Sequence, residues 1–212
     1  MPFGYIGQNQ TKQKVKNSGV LSSFDISLLQ KKGHAGGSLE LIETITPTNS
    51  TADFTSIKQD KYTVHLLTYT NVSMQAASGN QIPFIRLSND GGSSYESSNY
   101  QSSGLFNTAD GTSVKLTVRT SYGHLAGHAQ SSYKWAGYCY LYNLGNSSKE
   151  SYGSFQAVNN YSSNSKASSL FGGFIYQVAE TINALRCSVD DTNLSGTFKL
   201  YGIKELWVLY DY

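Results

Sequence analysis

The sequence predicts an all-β chain, an antiparallel β-sandwich of jelly-roll-like form preceded by an extended N-terminal arm and a short helix. Three observations carry this expectation. From residue 38 onward apolar residues recur with a period of two, in about ten runs separated by Ser/Gly/Asn-rich stretches. Charged residues are only 14% of the chain, against roughly 25% in an average globular protein. Tyr alone supplies 16 of the 212 residues, and aromatic and β-branched side chains suit strands. No sequence repeat of fixed period is visible, which argues against a propeller or a solenoid.

Residues 1–20 follow neither the helical nor the strand period and read as an extended peptide. Phe3 and Tyr5 are its aromatic anchors, followed by the spaced Lys12, Lys14 and Lys16. A short helix comes next. Ser23 or Asp25 can cap it, Phe24, Ile26, Leu28 and Leu29 give an apolar stripe, and Gly33 ends it after Lys31 and Lys32. Lysines in a last turn suit the helix dipole. Gly36-Gly37 reads as a hinge, so the expected division is a basic attachment arm over 1–36 and a sandwich over 37–212.

In the first strand Leu39, Leu41 and Glu43 alternate with Glu40, Ile42 and Thr44. A second, over 62–70, puts Val64 and Leu66 on one face and His65, Leu67 and Tyr69 on the other. Residues 82–88 follow, and Asn89-Asp90-Gly91-Gly92 reads as a hairpin turn. Val114, Leu116 and Val118 alternate with Lys115, Thr117 and Arg119 as a half-buried strand. Runs at 135–144, 151–158, 170–178, 182–190 and 197–209 complete the set.

The net charge of +2 is too small to imply a nucleic-acid partner, but it is unevenly placed. Residues 1–34 carry +4 and the remainder −2, which points the arm toward an acidic partner surface. No run approaches the roughly 20 apolar residues of a membrane span, so no membrane insertion is expected. The start Met1-Pro2-Phe3-Gly4 lacks a charged segment and an apolar stretch behind it, so synthesis in a cytoplasm without a secretory leader is expected. In that compartment Cys139 and Cys187 are expected to be buried free thiols.

Signals for chemistry are weak. His124 and His128 have a metal-compatible spacing only on a helix, whereas Ser121-Tyr122-Gly123 and Gly127 indicate a loop. Asp190-Asp191 fits a turn. No nucleophile elbow, phosphate loop or dinucleotide glycine pattern occurs, so no catalytic residue, metal or cofactor is expected. Tyrosines are more informative. Period two places Tyr138, Tyr140 and Tyr142 on the face opposite Cys139 and Leu141. Facing inward the three would join the core; facing outward such a row packs a neighbouring subunit or binds a ligand such as a sugar face, so these three are the expected subunit interface or ligand surface.

Four stretches carry a resemblance. FGYIGQNQTKQKVKNSGV (3–20), GGSLELIE (36–43), SNDGGSSYES (88–97) and SGTFKLYGIKE (195–205) resemble small virion structural proteins of marine tailed bacteriophages. The resemblance implies a virion protein of tail-fibre or receptor-binding type, made in the host cytoplasm and mounted by its N-terminal arm on other virion proteins. Phe3, Tyr5, Lys12, Lys14 and Lys16 would make that attachment. It further implies a homotrimer that touches a host surface glycan or protein. A capsid decoration (cement) protein is the alternative, and a polysaccharide-degrading enzyme with a paired carboxylate is the remoter one.

Overall fold

The structure is a computed structural model that describes residues 27–28, 38–75, 81–116, 121–127, 133–161, 166–189 and 193–204. The chain forms two compact units, Met1–Ser38 and Leu39–Tyr212. In the first, Ser27 and Leu28 are helical, inside the span expected for the short helix. Its caps and the attachment residues Phe3, Tyr5, Lys12, Lys14 and Lys16 lie outside the described residues.

The second unit is all-β. Its strands are β1 (Leu39–Ile45), β2 (Thr51–Phe54), β3 (Val64–Met74), β4 (Phe84–Ser88), β5 (Tyr100–Thr108) and β6 (Ser113–Leu116). They continue with β7 (Gly123–His124), β8 (Trp135–Tyr142), β9 (Ser151–Tyr161), β10 (Lys166–Tyr176), β11 (Ala184–Ser188) and β12 (Leu194–Ile203). Two antiparallel sheets result, one ordered β1-β12-β3-β8-β9-β10-β5-β6 and the other β2-β11-β4-β7. The pairs β1·β12, β2·β11, β3·β8 and β4·β7 nest one inside the next along the chain. Pairs β12·β3 and β11·β4 then fold that ribbon back on itself. Four further strands, β9, β10, β5 and β6, widen the first sheet beyond β8.

Alternation makes the sandwich. Along β9, Phe155 and Ala157 turn inward while Tyr152, Gln156 and Val158 turn out. One apolar core takes Leu67, Cys139, Phe155, Phe174 and Leu200 from the eight-stranded sheet and Phe54, Leu87 and Leu185 from the other. Trp135 lies edge-on to Tyr69 at 5.4 Å and to Phe198 at 6.2 Å, which anchors the centre with large rings. In β3 the inward set is His65, Leu67 and Tyr69, then Val72 and Met74, a change of phase. Register shifts in β3 and β12 at the same level cause it. Asn71 and Gly196 there take φ of 53° and 105°, and a Cβ on Gly196 would sit 2.7 Å from the Asn71 carbonyl oxygen.

Three expectations need correction. Residues 89–92 do not close a hairpin, because β4 pairs with β11 and β7 while β5 belongs to the other sheet. Gly91 and Gly92 do take positive φ, but the turn opens a crossing between sheets. Asp90 organises that crossing by accepting from the Ser88 hydroxyl and from the Ser94 amide and hydroxyl. Second, the half-buried strand expected around Val114 is an edge strand with Val114 exposed, and 117–120 lie outside the described residues. Third, His124 is in β7 rather than a loop, buried with Nδ1 2.8 Å from the Ser102 hydroxyl. His128 lies outside the described residues. Strands β2 and β5 were not among the expected runs. Polar Ser102 and Thr108 hold inward positions in β5, where an apolar period does not register them.

Candidate interaction surface

The two sheets present opposite outer faces of different chemistry. On the four-stranded sheet, Arg186 makes a two-pronged bond to Asp53 at 2.6 and 2.7 Å and lies 4.0 Å over the Tyr95 ring. Hydrogen bonding to Asp53 raises the Arg186 pKa further. Arg86, directly opposite Arg186 in register, donates to the Ser121 carbonyl at 3.1 Å. This face is charged, and its apolar ring, Tyr95, is covered.

On the eight-stranded sheet the outer face is apolar and aromatic. Leu39, Leu41, Tyr138, Tyr142, Tyr152, Val158 and Phe171 all stand exposed on it. With Val114 at the edge strand they are the exposed large hydrophobics among the described residues. Their clustering on one sheet is the feature that needs a cause, because scattered exposed apolar residues need none.

The tyrosine row falls where the period of two put it. Cys139 and Leu141 are fully buried, Tyr138 and Tyr142 are 39% and 36% exposed, and Tyr140 is half-buried between them. Tyr138 and Tyr140 meet edge-on at 5.7 Å, and Tyr140 and Tyr142 stack at 6.5 Å. The Tyr138 hydroxyl donates to Gln156 Oε1 at 2.9 Å, which fixes the ring against β9. Register extends the row sideways. Tyr142 lies directly opposite Tyr152, and Tyr140 opposite Leu66, which in turn faces Tyr201. Sequence reasoning missed Tyr152 and Phe171. Period two within 151–158 was readable, but which row of β8 it joins depends on strand register.

Several carboxylates have structural work. Glu180 accepts from the Tyr176 hydroxyl at 2.7 Å and the Asn89 amide at 2.8 Å. Glu40 takes Lys61 at 2.8 Å and Lys204 at 3.3 Å, and the Lys61 hydrogen bond holds its pKa down at about 2. Hydrogen bonds from Ser94 do the same for Asp90, also to about 2. Among the described residues no group of three His, Cys, Asp or Glu side chains could hold a metal ion. Cys139 and Cys187 are free, and burial pushes both thiols well up.

No family model matches the chain, and neither a curated protein nor a solved structure matches it.

Proposed function

We propose that the chain is a non-enzymatic virion structural protein of a tailed phage, of tail-fibre or receptor-binding type. The arm over 1–36 attaches it to other virion proteins, and the sandwich is displayed outward as a homotrimer. One observation carries this reading: among the described residues, the exposed large apolar side chains other than Val114 gather on the outer face of a single sheet. A lone soluble domain rarely leaves such a face open, whereas a displayed, oligomeric one uses it.

Two further features support it. The nested pairing, β1·β12 to β4·β7, resembles the winding of a jelly roll, an architecture of viral coat and lectin domains, and so supports this reading. Glu40, Asp53, Asp90 and Glu180 act as hydrogen-bond acceptors within the fold, which favours a binding role over a carboxylate-pair hydrolase. On this reading the tyrosine row Tyr138, Tyr140 and Tyr142 lies at or near the subunit boundary, with the side of Tyr142 toward β9 left open. Closed symmetric assemblies repeat one patch on every copy, and Tyr suits such a patch because its hydroxyl stays paired while the ring is covered.

Deletion of residues 1–34 tests attachment. The truncated protein should keep its β-type circular dichroism and cooperative melting yet be absent from purified particles. Normal incorporation of the folded truncation would reduce the arm to a solvated tail and end this reading.

A further inference from the structure

We infer that the added strands β9, β10 and β5 hold a saccharide-binding trough, floored by Ser154, Gly173 and Ser103 and walled by Tyr142 and Tyr152 on one side and Phe171 on the other. This rests on the receptor-binding reading and names the class of ligand it takes. The eight strands of the nested ribbon close without these strands, so they are an addition to the ribbon.

Two shallow, open hollows of about 410 and 520 Å³ adjoin at Ser103 and Gly173, which line both. Ser154, Gly173 and Ser103 lie in one register row across three strands. Gly173 lowers the floor, since an added Cβ there would meet only the Gly153 carbonyl oxygen, at 2.9 Å. Rows two residues to either side carry the walls. On one side Tyr142, Tyr152 and Ile175 are consecutive partners, and on the other Phe171 neighbours Leu105. Four residues of strand separate the two walls, about 13 Å between backbone positions at roughly 3.3 Å per residue. That leaves room for one extended chain of sugar rings lying across the strands.

The chemistry selects the occupant. A pyranose offers a patch of C–H bonds that rests on the electron-rich face of an aromatic ring, with hydroxyls around its rim. The trough offers the rings of Tyr142 and Tyr152, the exposed hydroxyls of Ser103 and Ser154, and the exposed amide of Gln101. Its lining holds one charge, Lys115, and no carboxylate. A basic peptide finds no counter-charge there, and a nucleic acid needs several cations. A neutral polymer rich in hydroxyls fits.

The test is affinity electrophoresis of the full chain in native gels cast with dextran, mannan, laminarin or agarose, alongside an oligosaccharide array. At least one neutral saccharide should retard the protein. Tyr152→Ala, which removes one ring contact, should weaken that binding about tenfold. Ser103→Trp, which fills the floor from an exposed position, should abolish it, while Val158→Ser on the same face should leave it unchanged. Circular dichroism and melting confirm that each variant folds. Absence of binding to every saccharide, or equal binding by folded Ser103→Trp, overturns the assignment. Dissociation of the oligomer by Ser103→Trp in light scattering also overturns it, because a second copy then occupies the trough. Incorporation into particles is scored separately: a variant that incorporates but binds no sugar leaves the virion reading standing.

Discussion

At the scale of single residues, His65 is the clearest point at which pH acts on the fold. Its ring is fully buried, Nε2 is 2.8 Å from the Ile57 carbonyl oxygen, and Tyr62 stands edge-on at 5.9 Å. Nε2–H therefore donates, the ring is neutral, and Nδ1 has no partner among the described residues. Burial lowers its pKa below the usual value, with the Ile57 carbonyl opposing only in part. The unfolded chain, titrating near 6.5, then binds the proton more readily than the folded one. His65 thus contributes stability that is present above about pH 6.5 and lost as pH falls through the lower folded value. Glu40 and Asp90 behave likewise in a separate, more acidic window that ends near their folded values of about 2. The melting temperature should fall in two steps on acidification, and His65→Gln, which keeps a donor and cannot titrate, should shrink the first alone. An unchanged first step in His65→Gln would show that the ring is not the group responsible. Cys139 and Cys187 illustrate a different limit. They lie on opposite sheets of one core as free thiols, and burial raises both pKa values, so neither adds to the acid steps.

At the scale of elements, β9 and β7 depend on glycines that face a ring of β10. A Cβ on Gly153 would lie 2.1 Å from Phe174, and one on Gly123 would lie 2.6 Å from the same ring. Phe174 therefore fills space that both glycines leave, and it ties β10 to β9 and β7. Gly153→Ala should destabilise the sandwich by roughly 1–3 kcal/mol, the usual cost of overpacking a core. Phe174→Leu in that background should recover part of the loss, because the smaller side chain releases the clash. Equal melting of Gly153→Ala and the parent chain would contradict this packing. The same elements show what a sequence discloses. Strand β8 was legible because Cys139 and Leu141 alternate with Tyr138, Tyr140 and Tyr142, and the outward tyrosine row followed from that period. Strand β5 was not, because its inward row includes Ser102, Gly104 and Thr108, whose burial is secured by hydrogen bonds and by close strand approach. The turn at 89–92 was legible as a turn but not as a crossing, because glycines permit positive φ and do not say which sheet comes next. Most of all, the trough was illegible: its floor and walls come from four strands aligned by register.

At the scale of the whole molecule, the two sheets divide labour. The narrow sheet is sealed outside by the Arg186–Asp53 pair and Tyr95, and the wide one carries an open aromatic face. That asymmetry suits a module with one side committed to its own copies or to a ligand, and on the proposed attachment the net +4 of residues 1–34 would steer the chain toward an acidic dock. The measurement that tests this account most directly is localisation of the protein in a density map of the assembled particle. The account predicts sandwich density on a tail appendage, in three copies around an axis with Tyr138, Tyr140 and Tyr142 at or near the subunit boundary and the N-terminal segment entering a neighbouring protein. Density on the capsid shell, or absence of the protein from the particle, would contradict it.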